Sequence, residues 1–395
     1  MDLLEDITVL DATQVWAGPL ASMHLGDLGA EVIKIERPEV GDRVRHVPPF
    51  VDGMSGYFAT VNRNKKSVTL NLGSESGREI FMNLAKDADV VIENQKPGTV
   101  EKLGIDYEST RRANSDIVYC SIKGFARGSQ HEERPAYDIV IQAMGGAMSI
   151  TGEKKGGPLP SKVPIGDISA GMFASQSILA ALYARDMNDA GGKYIEVPMM
   201  NTMVAFLGAR ATSSLINREP YPRIGSEHTD YVPYKCFETQ DSYLVLAIGS
   251  ERGWANYCEA IGRKDLLEDN RFDTLESRLE NKEQLYDVLD PLMAEKSTQT
   301  WLDIFQEYQI PCGPVYDTLE IWEDNYAQQQ ELLEDLTNES LNETIPVVRY
   351  PSNFEGTAPK AQVGPPQLGA QTEKRLEELG YSTEDIAELR KHNTI

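Results

Sequence analysis

Short apolar runs alternate with segments of helical period along the first half of the chain. Residues 7–11 and 30–36 are β-rich, and residues 20–28 between them carry apolar side chains at helical spacing. Further strand patterns cover 67–72, 90–94, 117–123 and 194–200, and further helix patterns cover 77–88, 138–148, 166–185 and 200–215. Repeated strand–helix–strand units of this kind predict an α/β fold built on a parallel sheet.

The pattern changes near residue 220. Residues 218–234 are rich in Pro, Gly, Tyr and charged residues, which is typical of a linker between domains. Strand patterns follow at 234–239, 243–248 and 347–350, and helix patterns at 253–261, 282–293, 299–308, 371–379 and 383–391. We therefore expect a second domain to begin close to residue 221, because a chain of 395 residues exceeds what one small core accommodates.

Charge and composition narrow the class of partner. The formal net charge is −24, and such a negative field repels nucleic acid and anionic membranes. The acidic residues are spread along the chain, so an acidic tail is disfavoured. Two interpretations stay open: an ordinary acidic cytosolic enzyme, or a protein of a halophilic host in which salt screens the surface carboxylates.

Several classes of protein are disfavoured by missing motifs. The N-terminus does not resemble a signal peptide, and no apolar run approaches the roughly 20 residues that span a bilayer, so we expect a soluble cytoplasmic protein. The chain has no GxGxxG fingerprint of a dinucleotide site. Its four cysteines and five histidines lack metal-ligand spacing, and no metal site is predicted.

Basic and amide side chains follow the ends of several predicted strands. They are Arg37, Asn64, Lys65, Lys66, Asn94, Lys96, Lys102 and Lys123. Ligands of open α/β sheets bind at the carboxyl ends of the strands, so this group predicts a site for a ligand with several phosphates. The alternative for any single residue is an ordinary solvated surface position.

One aspartate, Asp138, lies between an aromatic residue, Tyr137, and an apolar helix pattern. It is either the N-cap of that helix or a partly desolvated nucleophile. A thioester is an electrophile that a carboxylate can attack, because the thiolate leaves readily. Amides at a helix N-terminus would keep such a carboxylate ionised and stabilise an oxyanion. The residues alone leave both interpretations open.

The order and spacing of several motifs resemble those of the class III CoA-transferases, which include formyl-CoA transferase, carnitine CoA-transferase and the related α-methylacyl-CoA racemases. The resemblance covers nearly the whole chain. Its motifs are residues 15–19, 28–38, 62–67, 93–98, 121–125, Tyr137-Asp138, Gly166-Asp167 and 310–315. Each motif is weak by itself, and their combination is highly specific.

The resemblance implies roles for individual residues. Asp138 falls on the catalytic aspartate of the family. The positions implied to contact CoA are Trp16, Ala17, Arg37, Leu70, Asn71, Leu72, Gly73, Asn94, Gln95, Lys96, Lys102, Ile122, Lys123, Gly124 and Phe125. Tyr137 and the loop Gly225, Ser226, Glu227 and His228 fall where the family places its acid substrate.

The resemblance also implies an architecture. It predicts a large Rossmann-like domain that begins with 1–220, a smaller α+β domain at 221–330, and a segment at 331–395 that returns to the large domain. The family forms a homodimer of two interlocked rings. Its members use CoA thioesters as substrates, so no tightly bound cofactor is expected.

The implied reaction proceeds through an aspartyl anhydride and an aspartyl-CoA thioester. Three of the four residues in the loop 225–228 are not glycine, and Trp16 replaces a small polar residue, so an oxalate-type substrate is disfavoured. For a saline host the specific expectation is succinyl-CoA as donor and mesaconate or another short dicarboxylate as acceptor. The alternative is a 2-methylacyl-CoA racemase, although racemase relatives place His where this chain has Tyr137.

Overall fold

The computed structural model describes residues 3–188, 190–337, 341–356 and 358–395. Its strands are β1 (Thr8–Ala12), β2 (Glu31–Glu36), β3 (Phe50–Val51), β4 (Met54–Ser55), β5 (Lys65–Thr69), β6 (Val90–Glu93), β7 (Val118–Lys123), β8 (Lys193–Pro198), β9 (Tyr234–Glu238), β10 (Tyr243–Ala247), β11 (Cys312–Pro314), β12 (Leu333–Leu336) and β13 (Ile345–Val348).

The α-helices are α1 (Ala17–Asp27), α2 (Gly56–Asn62), α3 (Glu75–Asp87), α4 (Thr99–Leu103), α5 (Tyr107–Ala113), α6 (Asp138–Met144), α7 (Ala147–Ile150), α8 (Ile165–Asn188), α9 (Met199–Phe206), α10 (Ala209–Asn217), α11 (Glu251–Ala260), α12 (Leu275–Glu280), α13 (Lys282–Met293), α14 (Thr298–Glu307), α15 (Glu320–Glu323), α16 (Asn325–Gln329), α17 (Thr372–Glu378) and α18 (Thr383–Lys391). Short 3₁₀ helices cover Arg43–His46 and Lys264–Leu267.

Contacts between Cα atoms divide the chain into two compact units. The first contains the residues up to Met148, Pro160–Glu219 and Tyr326–Ile395, and the second contains Ser149–Leu159 and Pro220–Asn325. The predicted first domain comprises all of 1–220, whereas Ser149–Leu159 belong to the second unit. The predicted domain bounds, 1–220, 221–330 and 331–395, remain predictions about independent folding units.

The first unit is built on a six-stranded parallel sheet in the order β5-β2-β1-β6-β7-β8. The order reverses between β1 and β6, and in sheets of this topology the carboxyl ends of the strands form a crevice at that point. The predicted α/β fold with a parallel sheet is thus confirmed.

Alternate residues of each strand point to opposite sides of this sheet, and helices cover both sides. Val9 and its equivalents on neighbouring strands pack against α1, α8 and α9. Leu10 and its equivalents pack against α3, α17 and α18 on the opposite face. The near-continuous apolar runs of the predicted strands follow from this double burial.

The second unit has a three-stranded antiparallel sheet in the order β11-β10-β9. Helices α11, α13 and α14 pack Trp254, Leu285, Trp301 and Phe305 into its core. Both predicted strands of the hairpin and all three predicted helices are present within a few residues of their expected bounds.

Two predicted helices are interrupted by glycine. The pattern at 200–215 forms α9 and α10, because Gly208 adopts a φ of 51° between them. The pattern at 138–148 ends as α6 at Met144, and Gly146 follows with a φ of 90°. An apolar period alone does not reveal such breaks.

Helix α8 has the length and apolarity of a membrane-spanning segment, contrary to the expectation from the sequence. Half of its most apolar window is buried inside the protein, where it packs against α1 and α9. The apolar residues of α8 therefore contribute in part to the protein core.

Buried ion pairs tie α1 and its neighbours together. Arg63 donates from Nε and Nη2 to the two carboxylate oxygens of Asp27 at 2.9 and 2.7 Å, and both side chains are almost fully buried. Asn64 donates a further hydrogen bond to Asp27 at 2.9 Å. Losing one partner would leave a charge buried without compensation.

The substitution Asp27→Ala is therefore expected to lower the free energy of unfolding by about 3–5 kcal/mol. Glu388→Ala is the control, because it removes an exposed pair with Lys391 and should cost about 0–1 kcal/mol. Urea denaturation followed by circular dichroism measures both. Equal losses in the two variants would contradict the distinction between buried and exposed pairs.

Candidate active site

Asp138 is the first residue of α6, and its carboxylate points toward another helix. The N-cap is Tyr137, whose side chain makes no cap hydrogen bond. Asp138 Oδ1 instead accepts the backbone N–H of Gly166, at 2.8 Å, and that of Asp167, at 3.4 Å, in the first turn of α8. The interpretation of Asp138 as a helix N-cap is therefore wrong. The first amides of α8, which have no partner within their own helix, thus bind the Asp138 carboxyl.

Gln142 orients the second oxygen of this carboxylate. Its Nε2 donates to Asp138 Oδ2 at 2.6 Å and to the carbonyl of Ser161 at 3.1 Å. The N–H of Ser161 donates to Gln142 Oε1 at 2.8 Å, so the amide of this buried glutamine is held on both sides. Asp138 is consequently fixed by groups that have little freedom to move.

Two glycines permit this close packing. A Cβ atom on Gly166 would lie 3.0 Å from Asp138 Oδ1. A Cβ atom on Gly124 would lie 2.3 Å from the Cβ of Ala136, two residues before Asp138. Gly124, which lies in the motif 121–125, thus allows close packing of the segment that leads into α6.

A second carboxyl, that of Asp167, lies beside the first. Burial, followed by the charge of Asp138, raises the pKa of Asp167 from 3.8 to about 7. Among the described residues, neither aspartate forms an ion pair with Lys, Arg or His. The site therefore combines one carboxyl held by backbone amides with a neighbouring carboxyl whose pKa is raised toward neutrality.

Aromatic residues flank the two carboxyls. Burial and the charges of Asp167 and Asp138 raise the pKa of Tyr57 on α2. Its ring meets that of Trp16 edge to face, with centroids 4.7 Å apart. The Nε1 of Trp16 is buried and has no hydrogen-bond acceptor in the described part of the chain. Trp16, predicted to contact CoA, thus packs against Tyr57, and the predicted residue Ala17 begins α1.

A cavity of about 300 Å³ lies at the carboxyl ends of the central strands, where the strand order reverses. Its lining includes Arg37, Gln95 and the segment Leu70–Gly73, all predicted to hold CoA. Tertiary folding brings these separated motifs together as expected from their positions after parallel strands.

The loop between β1 and α1 forms one wall of this cavity. Asn94 Oδ1 accepts the N–H of Gln14 at 2.9 Å, and Asn94 Nδ2 donates to the Gln14 carbonyl at 2.7 Å. The N–H of Val15 donates to Asp42 Oδ1 at 3.1 Å, and Val15 has a φ of 73°, which is unusual for a β-branched residue. The loop is thus held in a conformation that it would not adopt alone.

Several predicted phosphate ligands have protein partners instead. Both polar atoms of the Asn94 amide bind Gln14, and Lys123 Nζ lies 2.8 Å from Glu93 and 2.6 Å from the carbonyl of Gln95. Lys65 is fully buried and ion-paired with Asp11 at 2.9 Å, so it is not part of a solvent-facing basic cluster. Burial lowers the pKa of Lys65 to about 8. Arg37, Lys96 and Lys102 are exposed.

A larger cavity, of about 670 Å³, opens beside β6, β7 and β8. Its lining includes the predicted residues Lys123 and Phe125, while Ile122 is buried in β7. The other charged residues around it are mostly acidic: Glu93, Glu101, Asp106, Glu108, Glu132, Glu133 and Glu196. Phosphates are repelled by such a lining. The charged residues that line the smaller cavity are Arg37 and two carboxylates, Glu36 and Asp42, which are ion-paired with Arg45 and Lys34.

The predicted substrate loop lies in the second unit. Gly225 has a φ of 67°, and its N–H donates to the carbonyl of Gly152 at 3.1 Å. Ser226 Oγ accepts the N–H of Cys236, and Glu227 pairs with Lys282 at 2.6 Å. His228 Nδ1 accepts the N–H of Asp230 at 3.0 Å. These bonds define the loop itself, and its role toward substrate stays a prediction.

The sequence predicts no site role for Gln142, Tyr57, Asp167 or the amide of Gly166, although Gly166-Asp167 is one of the motifs that carry the resemblance. Gln142 lies four residues after Asp138, so helical spacing would have placed both on one face of α6. No comparable pattern indicates Tyr57, which reaches the site through the tertiary structure. In the part of the chain that the structure describes, no three His, Cys, Asp or Glu side chains are grouped as metal ligands.

Comparison with known proteins gives a consistent result. The sequence matches the model of CoA-transferase family III over residues 4–372. It is 36% identical to mouse succinyl-CoA:glutarate CoA-transferase over 383 residues, which is 96% of this chain and 87% of that protein. It is also 36% identical to succinyl-CoA:mesaconate CoA-transferase of Haloarcula hispanica over 392 residues, covering 97% and 98% of the two chains.

A solved structure is similar along the whole chain. The crystal structure of a CAIB/BAIF family protein from Brucella suis superimposes with a TM-score of 0.87 at 31% identity. The match covers 96% of this chain and 99% of that one. The architecture described above is therefore shared with an experimentally determined fold.

The titration of Asp167 can be tested directly. In Asp138→Asn its pKa should fall below about 7 because the neighbouring charge is lost, yet stay above the ordinary value because the burial is unchanged. NMR of protein labelled with ¹³C at aspartate carboxyls would follow the titration, and Asp167→Asn would assign the signal. An unchanged midpoint in Asp138→Asn would show that the two carboxyls do not interact.

Proposed function

The chain belongs to CoA-transferase family III and is an enzyme of that class, and from this premise we propose that it moves CoA from succinyl-CoA to a free dicarboxylic acid such as glutarate or mesaconate. The relatives with curated activities act on these acids. Identity of 36% over nearly the whole chain supports the same substrate class.

The observation that carries the proposal is the setting of Asp138. Its carboxylate is held by the first amides of α8 and by Gln142, with no Lys, Arg or His ion pair among the described residues. A carboxyl fixed by neutral donors has no salt-bridging cation to displace before it attacks an acyl carbon. The same amides suit the oxyanion that develops during that attack.

The proposed reaction proceeds by exchange at the Asp138 carbonyl. Asp138 attacks the thioester carbonyl of succinyl-CoA, the C–S bond breaks, and an anhydride and CoA thiolate form. The thiolate attacks the aspartyl carbonyl, giving an aspartyl-CoA thioester and free succinate. The acceptor carboxylate then attacks this thioester, and the thiolate released attacks the acceptor carbonyl of the new anhydride. The products are the new acyl-CoA and free Asp138.

We propose the cavity at the strand-order reversal as the place where CoA binds. Arg37 lines it and is exposed, so its guanidinium is available to pair with phosphate. Lys96 and Lys102 are exposed on the segment that follows β6 and supply further positive charge. Leu70–Gly73 and Gln95 line the same cavity, which supports their assignment to CoA contacts. CoA acts here as substrate, without a tightly bound cofactor.

For the acid substrate we propose Tyr137 and the loop 225–228. Tyr137 is exposed immediately before Asp138, where a substrate can reach it. Within the second unit, Glu227 pairs with Lys282 and His228 accepts the N–H of Asp230. Binding residues are often carried on loops.

A homodimer, with the interlocked rings expected from the resemblance, is part of the proposal. Large apolar side chains are exposed on α8, α9 and α10, including Tyr183, Met187, Phe206, Leu215 and Ile216. Surfaces of this kind mark protein–protein interfaces. We further propose a cytoplasmic location and a saline host, because salt would screen the formal net charge of −24.

Transfer itself is the first test. Incubating the enzyme with succinyl-CoA and, separately, glutarate, mesaconate and oxalate should give new thioesters from the first two acids and much less from oxalate. Chromatography of the CoA esters measures the products. Deuterium incorporation at C2 of a methylacyl-CoA, with no transfer to any acid, would instead establish the racemase alternative.

The nucleophile is the second test. Enzyme incubated with succinyl-CoA should acquire a CoA adduct on Asp138 that hydroxylamine removes, as mass spectrometry of the peptide would show. Asp138→Asn should lose at least 1,000-fold in kcat, on the order of the loss seen when a covalent nucleophile is removed. Asp87→Asn, an exposed carboxylate at the end of α3, is the control and should retain full activity. An adduct on another residue would refute the role of Asp138.

A further inference from the structure

A groove of about 550 Å³ lies between helices α3 and α5 of the first unit. Three cations and one carboxylate are the charged residues of its lining. We call it the basic groove, and it is bordered by Arg78, Lys86 and Arg112, by the carboxylate Glu79, and by the neutral Asn83 and Ser109. This excess of positive charge contrasts with the formal net charge of −24 of the whole chain.

The cations of the basic groove are not neutralised by the protein. None of the three forms an ion pair with a carboxylate in the part of the chain that the structure describes. Lys86 Nζ donates to the neutral Asn83 Oδ1 at 2.8 Å, and Arg112 Nη2 donates to Ser109 Oγ at 3.0 Å. Lys86 and Arg112 are exposed, and Arg78 is partly buried. Their charges are therefore available to an anion from outside the chain.

The basic groove adjoins the cavity proposed for CoA. Leu103 lines that cavity, and the next residue, Gly104, lines the groove. Gly104 has a φ of 69°, and a Cβ atom on it would lie 2.9 Å from Arg78 Cδ, so a side chain there would displace Arg78. The cavity segment Leu70–Gly73 leads directly into α3, whose first turns carry Arg78. Cavity and groove thus share the same two chain segments.

The cavity by itself matches neither the size nor the charge of a CoA thioester. A volume of about 300 Å³ suits a small drug-like ligand, and a CoA thioester is larger, so part of it must lie outside. CoA carries a pyrophosphate and a 3′-phosphate. Among the described residues, Arg37 is the one cation in the cavity lining, and Lys102 is exposed nearby in sequence, just before Leu103. These two suit the pyrophosphate, which leaves the 3′-phosphate without a cation.

We propose that the basic groove binds the 3′-phosphate end of CoA thioesters, with Arg78 and Arg112 as its phosphate-binding residues. This inference rests on the proposed function, because it concerns the same substrate. The guanidinium fork of arginine matches the geometry of phosphate oxygens, and Lys86 adds a third positive charge. A phosphate monoester carries nearly two negative charges at neutral pH, so the groove distinguishes CoA from dephospho-CoA.

The contact is measured by comparing two thioesters, succinyl-CoA and succinyl-dephospho-CoA, at saturating glutarate with the full-length enzyme. The unchanged enzyme should show a kcat/KM about tenfold higher for succinyl-CoA, because the 3′-phosphate contacts several cations. Arg78→Gln and Arg112→Gln should each lower the kcat/KM for succinyl-CoA about threefold and leave that for succinyl-dephospho-CoA within about twofold. The kcat should not change, since the 3′-phosphate is bound equally in the ground and transition states.

Arg252→Gln is the matched control. Arg252 is exposed on α11 of the second unit, and no ion pair joins it to another described residue. Its replacement alters the net charge by the same amount, so a general effect of charge on an anionic substrate would appear in this variant too. We expect the kcat/KM for both thioesters to stay within about twofold of the unchanged enzyme. Circular dichroism verifies that all variants are folded.

Two results would overturn the proposal: equal kcat/KM values for the two thioesters in the unchanged enzyme, or groove variants that lower both values by the same factor. A free phosphate compound is the other source of the same chemistry, and calorimetric titration with inorganic pyrophosphate tests it. Weaker pyrophosphate binding in Arg78→Gln with unchanged discrimination between the thioesters would assign the groove to a separate ligand. Absence of transfer from either thioester would refute the proposed function, whereas transfer without discrimination would refute the role of the groove alone.

Discussion

A buried ionic cluster around Asp11 holds the centre of the large sheet together. Asp11 on β1 accepts hydrogen bonds from Thr13, Ser22 and Lys65, and Lys34 lies 3.9 Å away. Burial alone would raise the pKa of Asp11, but Lys34 and Lys65 outweigh it and hold the pKa well below its usual range. Lys34 in turn pairs with Asp42 at 3.0 Å. Because these charges compensate one another without solvent, strands β1, β2 and β5 and the loop that follows β1 are linked in one arrangement.

That arrangement borders both the cavity and the aromatic residues beside Asp138. Asp42 accepts the N–H of Val15, which has a left-handed conformation, and the next residue, Trp16, packs against Tyr57. One short loop thus borders the cavity on one side and the aromatic residues beside Asp138 on the other. A residue such as Val15 keeps a strained backbone conformation only where surrounding contacts hold it, and such residues often lie at ligand sites.

The chemistry proposed for the enzyme suits a site made mainly of neutral donors. Exchange of CoA between carboxylates needs an ionised nucleophile and a place for a second carboxylate, but no net movement of protons. The backbone amides of α8 bind the proposed nucleophile, Asp138, without adding a mobile cation. The protein has a formal net charge of −24, which repels anions at long range. Backbone amides at one helix N-terminus and a few exposed basic side chains can still bind an anion locally.

Periodicity and motif order in the sequence determined the strands of the parallel sheet, most helices, the family and Asp138 as the candidate nucleophile, because local patterns and motif spacing carry that information. Only the tertiary structure decided which polar groups face a ligand. Lys65 and Lys66 are adjacent in the sequence, yet Lys65 is buried against Asp11 whereas Lys66 reaches the surface and pairs with Glu31. Likewise, the pKa of Asp167 depends on burial and on Asp138, a residue 29 positions away that folding brings alongside. Solvent exposure and the distance between remote charges are properties of the folded chain, and no local pattern records them.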